Sequence, residues 1–306
     1  SPAALTAAHD SGVPVVQTLH NGRWLCLEGG FYRNGKYCNK CIKHNRLWGV
    51  FHGCNKGLIV SLILYLSNLS GLANRRIFKW VDRFIAVSSY IKEQHVLAGF
   101  PCSSIVVKNN PINYLTLSSK SRQSIRKGIA FLGRLSISKG VNVLKHIALN
   151  IKVPFHVVGD GPEFNDLVEF IDKHGLTHVK VWGKRDTSFC NYILSKVVLT
   201  VIPSQCGDAL PLVSTESLSM STPIVASNVG GLPQLISDSG GGVLVNHEDN
   251  NAFIQEIQRI LSQPTLARHL GESGKKYVDN NLNQNINSSQ LLRIYEELIQ
   301  KKGFTC

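Results

Sequence analysis

The sequence predicts an α/β fold of two doubly wound domains, and three observations carry that prediction. Short apolar runs at 15–19, 84–87, 129–132, 155–158 and 198–202 alternate with segments of helical period in both halves of the chain. A Ser/Lys/Arg-rich stretch near 115–128, SSKSRQSIRKG, has the composition of a connection and separates those halves. A length of 306 residues with 43% hydrophobic content supplies two cores. The expected domains are residues 1–122 and 123–283, with strands whose carboxyl ends face a shared cleft.

In the first half, residues 1–11 read as a helix and 15–19 as a strand entered through Pro14 and ended by His20-Asn21. Ligands gather beyond the carboxyl ends of strands in open α/β sheets, which makes His20 a candidate, against the plainer reading of a structural histidine. Residues 22–55 are irregular and carry Cys26, Cys38, Cys41 and Cys54 in the spacing C-x11-C-x2-C-x12-C. Two readings stand here: one tetrahedral structural zinc site, or reduced and partly buried thiols, since zinc ribbons ordinarily show two C-x2-C pairs. Eight cysteines, four of them clustered, fit a reducing cytoplasm better than a disulfide scaffold.

Residues 58–80 read as one or two apolar helices, followed by the basic cluster Arg75, Arg76, Lys79 and Arg83. Either this is a core helix with a solvated basic end, or an apolar face that rests on anionic lipid. The most apolar run, 58–66, is interrupted by Ser61 and is too short to span a bilayer. No secretory signal is expected from the opening, which reads as a helix and a strand. Next come a strand at 84–87, a helix from Ser88-Ser89, and a strand at 105–107 leading to Asn109-Asn110-Pro111-Ile112.

The charge is uneven. Residues 1–120 hold 14 Lys/Arg against 4 Asp/Glu, giving +10, whereas the remainder holds 19 against 16, giving +3. An acidic partner is therefore met by the first half. Nucleic acid is not the expected partner, because no recognition fold or aromatic-basic platform accompanies the charge.

In the second half, strand 129–132 runs into Gly133-Arg134, and Lys139-Gly140 opens a helix with Val141, Leu144, Ile147 and Ile151 on one face. Arg grips phosphate oxygens bidentately and Lys adds a point charge. Strand 155–158 gives onto Gly159-Asp160-Gly161-Pro162, and strand 179–182 onto Gly183-Lys184-Arg185. Residues 201–231 then place Asp208 ahead of a helix with Pro211 at its first position and Glu216 within it, followed by Gly230-Gly231. The backbone N–H groups of Ala209, Leu210, Leu212 and Val213 would face an anionic group at that helix start. The plain alternative is a surface helix capped by an Asp. A strand at 242–245 and helices at 250–261, 264–280 and 288–301 complete the chain.

The segment Pro203-Ser204, Asp208, Leu212-Val213, Glu216, Thr222-Pro223-Ile224-Val225-Ala226-Ser227, Gly230-Gly231 resembles the E-x7-E region of retaining glycosyltransferases of family 4, glycosyl transferases group 1, with the GT-B fold. The G-R-L-x-x-x-K-G element at 133–140, the D-x-F-I-A-x-S run at 82–88 and the N-P-I at 110–112 resemble further landmarks of that family, and the likeness extends over nearly the whole chain. Three positions depart from it: Asp208 replaces the usual first Glu, Ser217 the usual Ala, and Ser221 the usual Gly.

The resemblance implies two Rossmann-like domains, with helix 284–306 crossing back to the first. It implies transfer of a sugar from a nucleoside diphosphate sugar to a glycan or lipid-linked glycan, with retention at the anomeric carbon. His20 would lie beside donor and acceptor, Arg134, Lys139, Leu212 and Val213 would bind the diphosphate, and Gly159, Gly183 and Lys184 would hold the nucleoside. Glu216 would take the ribose hydroxyls and Asp208 the donor sugar. No cofactor is required for catalysis, and some members carry a similar cysteine-bearing insertion. The usual first strands and glycine-bearing loop have no counterpart before Ser1, so an incomplete N-terminal domain is expected. With Asp208, that motivates a second reading as a non-catalytic nucleotide-binding module. The expected location is the cytoplasm, peripheral on the inner face of the cytoplasmic membrane, with an anionic lipid surface as partner.

Overall fold

The computed structural model describes residues 2–72, 76–112 and 125–303. The chain forms two compact units: unit 1 is Ser1–Asn110, Gly207–Ala209 and Asn285–Cys306, and unit 2 is Pro111–Cys206 and Leu210–Gln284. The domain boundary expected at 122, most of the Ser/Lys/Arg-rich connection, and Arg75 lie outside the described residues.

Unit 1 opens with α1 (Pro2–Asp10) and β1 (Val16–Leu19). The irregular cysteine-bearing region holds a small antiparallel pair, β2 (Tyr32–Arg33) and β3 (Lys36–Tyr37), then α2 (Lys40–Lys43) and α3 (Leu47–Phe51). The apolar stretch becomes α4 (Leu58–Leu72) and α5 (Ile77–Trp80), followed by β4 (Arg83–Ala86), α6 (Ser89–Leu97) and β5 (Ile105–Val107). β1, β4 and β5 form a parallel sheet in the order β1-β4-β5. Its register is fixed at the entrance, where Asp82 Oδ2 accepts the Val15 N–H at 2.8 Å and the Val15 carbonyl accepts the Asp82 N–H at 2.9 Å. Ser88 caps α6 by accepting the Ile91 N–H at 3.3 Å, which is why the helix begins there. Phe31, Phe84, Phe100, Ile77 and Ile91 fill the core beneath the sheet.

Unit 2 is a sequence of βα units. Its elements are β6 (Ile129–Leu132), α7 (Val141–Asn150), β7 (Phe155–Val158), α8 (Phe164–Lys173), β8 (Val179–Val181), α9 (Thr187–Lys196), β9 (Leu199–Ile202), α10 (Leu212–Ser219), β10 (Ile224–Ser227), α11 (Leu232–Ser239), β11 (Gly242–Val245), α12 (Asn250–Ser262) and α13 (Pro264–Asn281). The six strands are parallel in the order β11-β10-β9-β6-β7-β8. Counted from β6, this is the Rossmann order, and chain direction across the sheet reverses between β6 and β9. Every residue of β6, β9 and β10 is buried, so these strands read as continuous apolar runs rather than alternating ones.

The last helix, α14 (Gln284–Lys301), belongs from Asn285 onward to unit 1. There the Asn287 side chain donates to the Asn109 carbonyl at 2.5 Å and accepts from Lys108, while Lys302 pairs with Asp82 at 2.9 Å.

The turn after α10 carries a local strain. Ser221 has φ 54, in the left-handed region that costs an L-residue about 1–2 kcal/mol. It is held there because Arg126 donates to the carbonyls of Met220 (2.5 Å) and Ser221 (3.2 Å) and to the Thr222 hydroxyl. Gly271 of α13 packs so closely on the Ser221 carbonyl that a Cβ at 271 would lie 2.2 Å from the oxygen. Ser221→Gly relieves the strain at the expense of unfolded-chain freedom, and the expected result is a gain of up to about 1 kcal/mol in unfolding free energy by urea titration. An equal or lower midpoint would show that the turn is not strained.

Candidate functional site

The loops that leave β6, β7 and β8 are tied to one another by main-chain bonds. Gly133 N–H donates to Val158 O at 3.0 Å, Leu135 N–H to Asp160 O at 2.9 Å, and Gly159 N–H to Gly183 O at 2.9 Å. Gly159 must be glycine: its φ is 143, and a Cβ would meet the Gly133 carbonyl at 1.8 Å. Arg134 stands exposed on this layer, making no hydrogen bond or ion pair with another described residue, and Lys139 is half-buried at the end of a 3₁₀ turn. Gly183 (φ 68) and exposed Lys184 follow β8. Beside them, Trp182 donates to His156 Nδ1 at 3.1 Å, and the Lys180 ammonium lies 3.9 Å from its ring centre.

The β6 loop and the end of β9 are packed together across the switch point. Gln205 N–H donates to the Ser138 carbonyl at 2.8 Å, and the Gln205 side chain reaches the carbonyls of Pro203 and His247 at 3.1 and 3.0 Å. The chain then enters α10. Pro211 caps that helix instead of opening it: with φ −61 and ψ 124 it is extended, and α10 begins at Leu212. A proline φ suits either position, so the boundary moves by one residue. Ser214 N–H is taken by the Pro211 carbonyl at 3.0 Å, leaving the N–H groups of exposed Leu212 and half-buried Val213 at the open end of the helix dipole.

Glu216 lies in the middle of α10, half-buried, and burial pushes its carboxyl above the ordinary carboxylate value. The carboxylate makes no hydrogen bond or ion pair with another described residue. Ser217, on the buried side of the same helix, donates to the Thr222 carbonyl at 2.8 Å and shares a 2.8 Å bond with the Thr200 hydroxyl, which explains how a hydroxyl replaces an apolar residue there.

Within unit 2, then, a cationic turn and glycine-bearing loops follow β6, β7 and β8, and the helix that starts open and carries Glu216 follows β9 across the switch point. The profile of the family described as glycosyl transferases group 1 matches residues 118–277, just over half of the chain. The chain belongs to that family. Its relatives include an uncharacterized glycosyltransferase of Methanocaldococcus jannaschii, MJ1178, 27% identical over 212 residues that make up 68% of this chain and 59% of that protein. Another is the alpha-D-kanosaminyltransferase of Streptomyces kanamyceticus, 27% identical over 56% of this chain and 45% of that one. The chain thus spans roughly half the length of the curated relatives it matches. Among solved structures it is similar to Alr3699/HepE of Anabaena in complex with UDP, with a TM-score of 0.73 at 18% identity, covering 97% of this chain and 76% of that one. A glycosyltransferase of Rickettsia africae gives a TM-score of 0.66 at 17% identity over 97% and 80%. At such identities the likeness concerns the fold, which is that of the GT-B glycosyltransferases.

Two expected residues of the glycosyltransferase fall in unit 1. His20 is exposed directly after β1, beyond its carboxyl end. Asp208 sits on the short excursion Gly207–Ala209, where Gly207 N–H donates to the Gly30 carbonyl at 2.8 Å.

The cysteines depart from the metal expectation. Among the described residues no three His, Cys, Asp or Glu side chains gather into a group able to hold a metal, so Cys26, Cys38, Cys41 and Cys54 are not assembled as a tetrahedral site. Cys26 is buried in the apolar core of unit 1, and Cys41 lines a cavity of about 370 Å³ with Trp24, Ile42, Phe78 and Phe100. All four are free thiols. Burial, reinforced by the neighbouring Cys26, Cys54 and Cys38 sulfurs, pushes the Cys41 thiol up to about 11.

Arg126 is the structural residue that sequence reasoning missed. It lies in the stretch read as a connection, yet its guanidinium binds the turn that ends the Glu216 helix.

Two outcomes follow. Because the folded-state pKa of Glu216 is raised, its stabilising protonated form is complete at acid pH and is lost as pH rises through the folded value. Glu216→Gln removes the burial cost of the charge, so the ligand-free melting temperature at pH 7 should match or exceed that of the parent, with the difference vanishing in acid. A lower melting temperature at pH 7 would show that the carboxylate has a structural partner. Iodoacetamide at pH 8 should modify exposed Cys102 readily and Cys41 only through the roughly one thousandth present as thiolate. Its rate should climb about tenfold per pH unit toward 11. Stoichiometric zinc in the purified protein would instead restore the metal reading.

Proposed function

We propose that the chain transfers a sugar from a nucleoside diphosphate sugar to a glycan or lipid-linked glycan, with retention of anomeric configuration. The observation that supports this most directly is that Arg134 and Lys139 follow β6 while the open start of α10 and Glu216 follow β9, the two strands between which strand order reverses. HepE, a relative in fold, is described in complex with UDP and with UDP-glucose, which makes uridine nucleotides the first donors to test.

The chemistry is charge management. As the glycosidic bond to the diphosphate breaks, negative charge grows on the leaving oxygens. Arg134 offers a planar fork of donors and Lys139 a point charge, and the N–H groups of Leu212 and Val213 add the positive end of a helix dipole. These groups do the work for which a divalent metal would otherwise serve. Glu216 accepts the ribose hydroxyls and Asp208 the hydroxyls of the donor sugar. Gly159, Gly183 and Lys184 hold the nucleoside through loop backbone, and His20 serves the sugar and acceptor. The acceptor side works at the inner face of the cytoplasmic membrane.

A second reading is a nucleotide-binding module that transfers nothing. The observation in its favour is Asp208, one methylene shorter than the Glu usual at that place.

A thermal-shift panel of UDP, GDP and ADP, with their sugars, tests the binding step. The matching nucleotide at a hundredfold its Kd should stabilise the fold by about 2.7 kcal/mol. Arg134→Ala should remove most of that shift and lower kcat/KM at least about a hundredfold, the scale of one lost charge-stabilising donor. No shift with any nucleotide would sink both readings, and a shift without turnover of any labelled donor would favour the module.

A further inference from the structure

A helix in unit 1 presents the wrong face to water. α4 turns Ser61 inward, fully buried, where its hydroxyl accepts the Asn55 N–H at 3.0 Å. On its outer side Ile59, Leu62, Ile63, Leu66 and Leu69 recur at the three- and four-residue spacing of a single helix face. Ile59 is 75% exposed, Ile63 60% and Leu66 54%. α3 packs on this helix and adds Phe51, 74% exposed. An ordinary surface helix has the opposite arrangement, and a continuous exposed apolar face marks an interaction site.

The charge around that face says what covers it. Residues 29–81 hold nine Lys/Arg and no Asp or Glu, so this one segment accounts for most of the chain's imbalance. Lys56 is exposed just before α4, and Arg76 and Lys79 are exposed after it. An exposed apolar helix face flanked in sequence by cations matches a surface with an apolar interior and an anionic skin, which is an acidic lipid leaflet. A nucleic acid would offer nothing to the aliphatic stripe. The 15 residues of α4 extend about 22 Å at 1.5 Å per residue, short of the roughly 30 Å hydrocarbon core. No helix among the described residues is long and apolar enough to cross a membrane. The length of α4 suits a helix lying along a surface rather than crossing it.

We propose that the outward face of α4, with Phe51 beside it and Lys56, Arg76 and Lys79 around it, is a docking surface for an anionic lipid leaflet. The proposal deepens, and rests on, the reading that the acceptor side works at a membrane. The aliphatic side chains enter the acyl boundary while the cations meet the headgroups, which brings unit 1 to a lipid-linked acceptor. Because the electrostatic part is screened over about 8–10 Å at ordinary ionic strength, docking weakens as salt rises.

Flotation of the 306-residue chain tests this with vesicles of phosphatidylcholine alone and of phosphatidylcholine with one third phosphatidylglycerol. Recovery is expected on the anionic vesicles, to fall with salt, and to be slight on the neutral ones. The double substitution Ile63→Glu/Leu66→Glu should lower the partition coefficient more than about tenfold. Its melting temperature and nucleotide-induced shift should stay those of the parent, since both residues face outward. Changing Lys56, Arg76 and Lys79 to Ser should reduce anionic recovery alone. Equal recovery on both vesicle types, or undiminished recovery of the two variants, overturns the proposal. So does a loss of self-association on Ile63→Glu/Leu66→Glu with flotation unchanged, which would assign the face to a second copy of the chain. A parent protein that floats as expected yet binds no nucleotide would refute the donor chemistry and leave the docking surface standing.

Discussion

The approach of Gly140 to the Pro203 carbonyl governs how unit 2 is built. Gly140 ends the 3₁₀ turn after β6 and caps α7 in the left-handed region at φ 83. A Cβ there would lie 2.0 Å from the Pro203 oxygen and 3.0 Å from the Pro203 side chain, which no rotamer change relieves because the first obstacle is backbone. Only glycine lets the β6 turn and the β9 exit occupy adjoining space at the switch point. Everything proposed for the donor depends on that proximity. The cationic turn carrying Arg134 and Lys139 comes from β6, and the helix carrying Glu216 comes from β9. A side chain at 140 would push those two carriers apart before it touched any ligand group.

Much of the fold was legible because the strands of unit 2 are buried on both faces. Ile129–Leu132 and Leu199–Ile202 are buried at each residue, and a doubly covered parallel strand writes itself into sequence as a nearly continuous apolar run, broken here only by Thr200; Ile224–Ser227, buried alike, was not read as a strand. The loops after β6, β7 and β8 were legible through glycine and charge at strand ends. What escaped detection shares a different cause. Arg126 acts on Met220, Ser221 and Thr222, more than ninety positions away, and no local pattern announces a guanidinium that binds carbonyls after folding. The cysteine spacing likewise counts potential ligands without saying whether the sulfurs converge. Cys26 is drawn into the core with Leu25 and Phe31, yet its sulfur stays near enough to Cys41 to raise that thiol, a neighbourhood that forms no metal-holding group among the described residues.

The replacement of a usual glycine by Ser221 is a case where local preference and global packing disagree. A serine at φ 54 is unfavourable taken alone. Its carbonyl, however, is held by Arg126 and covered by Gly271, so the surroundings determine the backbone and the residue conforms. The turn fixes the C-terminal end of α10. Strain is thus tolerated at the far end of the helix whose near end and middle are assigned to the diphosphate and the ribose, a distribution in which rigidity matters more than the last kcal/mol of stability.

The two carboxylates spaced eight apart are set by different parts of the chain, and this bears on the substitution at 208. Glu216 is carried by α10 of unit 2, whereas Gly207–Ala209 is counted with unit 1. There Gly207 donates to Gly30 and lies so near Tyr90 that a Cβ would come within 2.2 Å of the phenol oxygen. Ala209 packs against the same core as Tyr37 and Tyr90. The backbone on either side of Asp208 is thus set by aromatic rings and a glycine carbonyl of unit 1. Shortening a Glu to an Asp withdraws the carboxylate by one methylene, about 1.5 Å of reach, while leaving the backbone that presents it unchanged. Under the proposed transfer, such a shortening falls on contacts with the sugar and leaves diphosphate binding to the groups of unit 2, so the residue at 208 is proposed to act on which sugar is accepted.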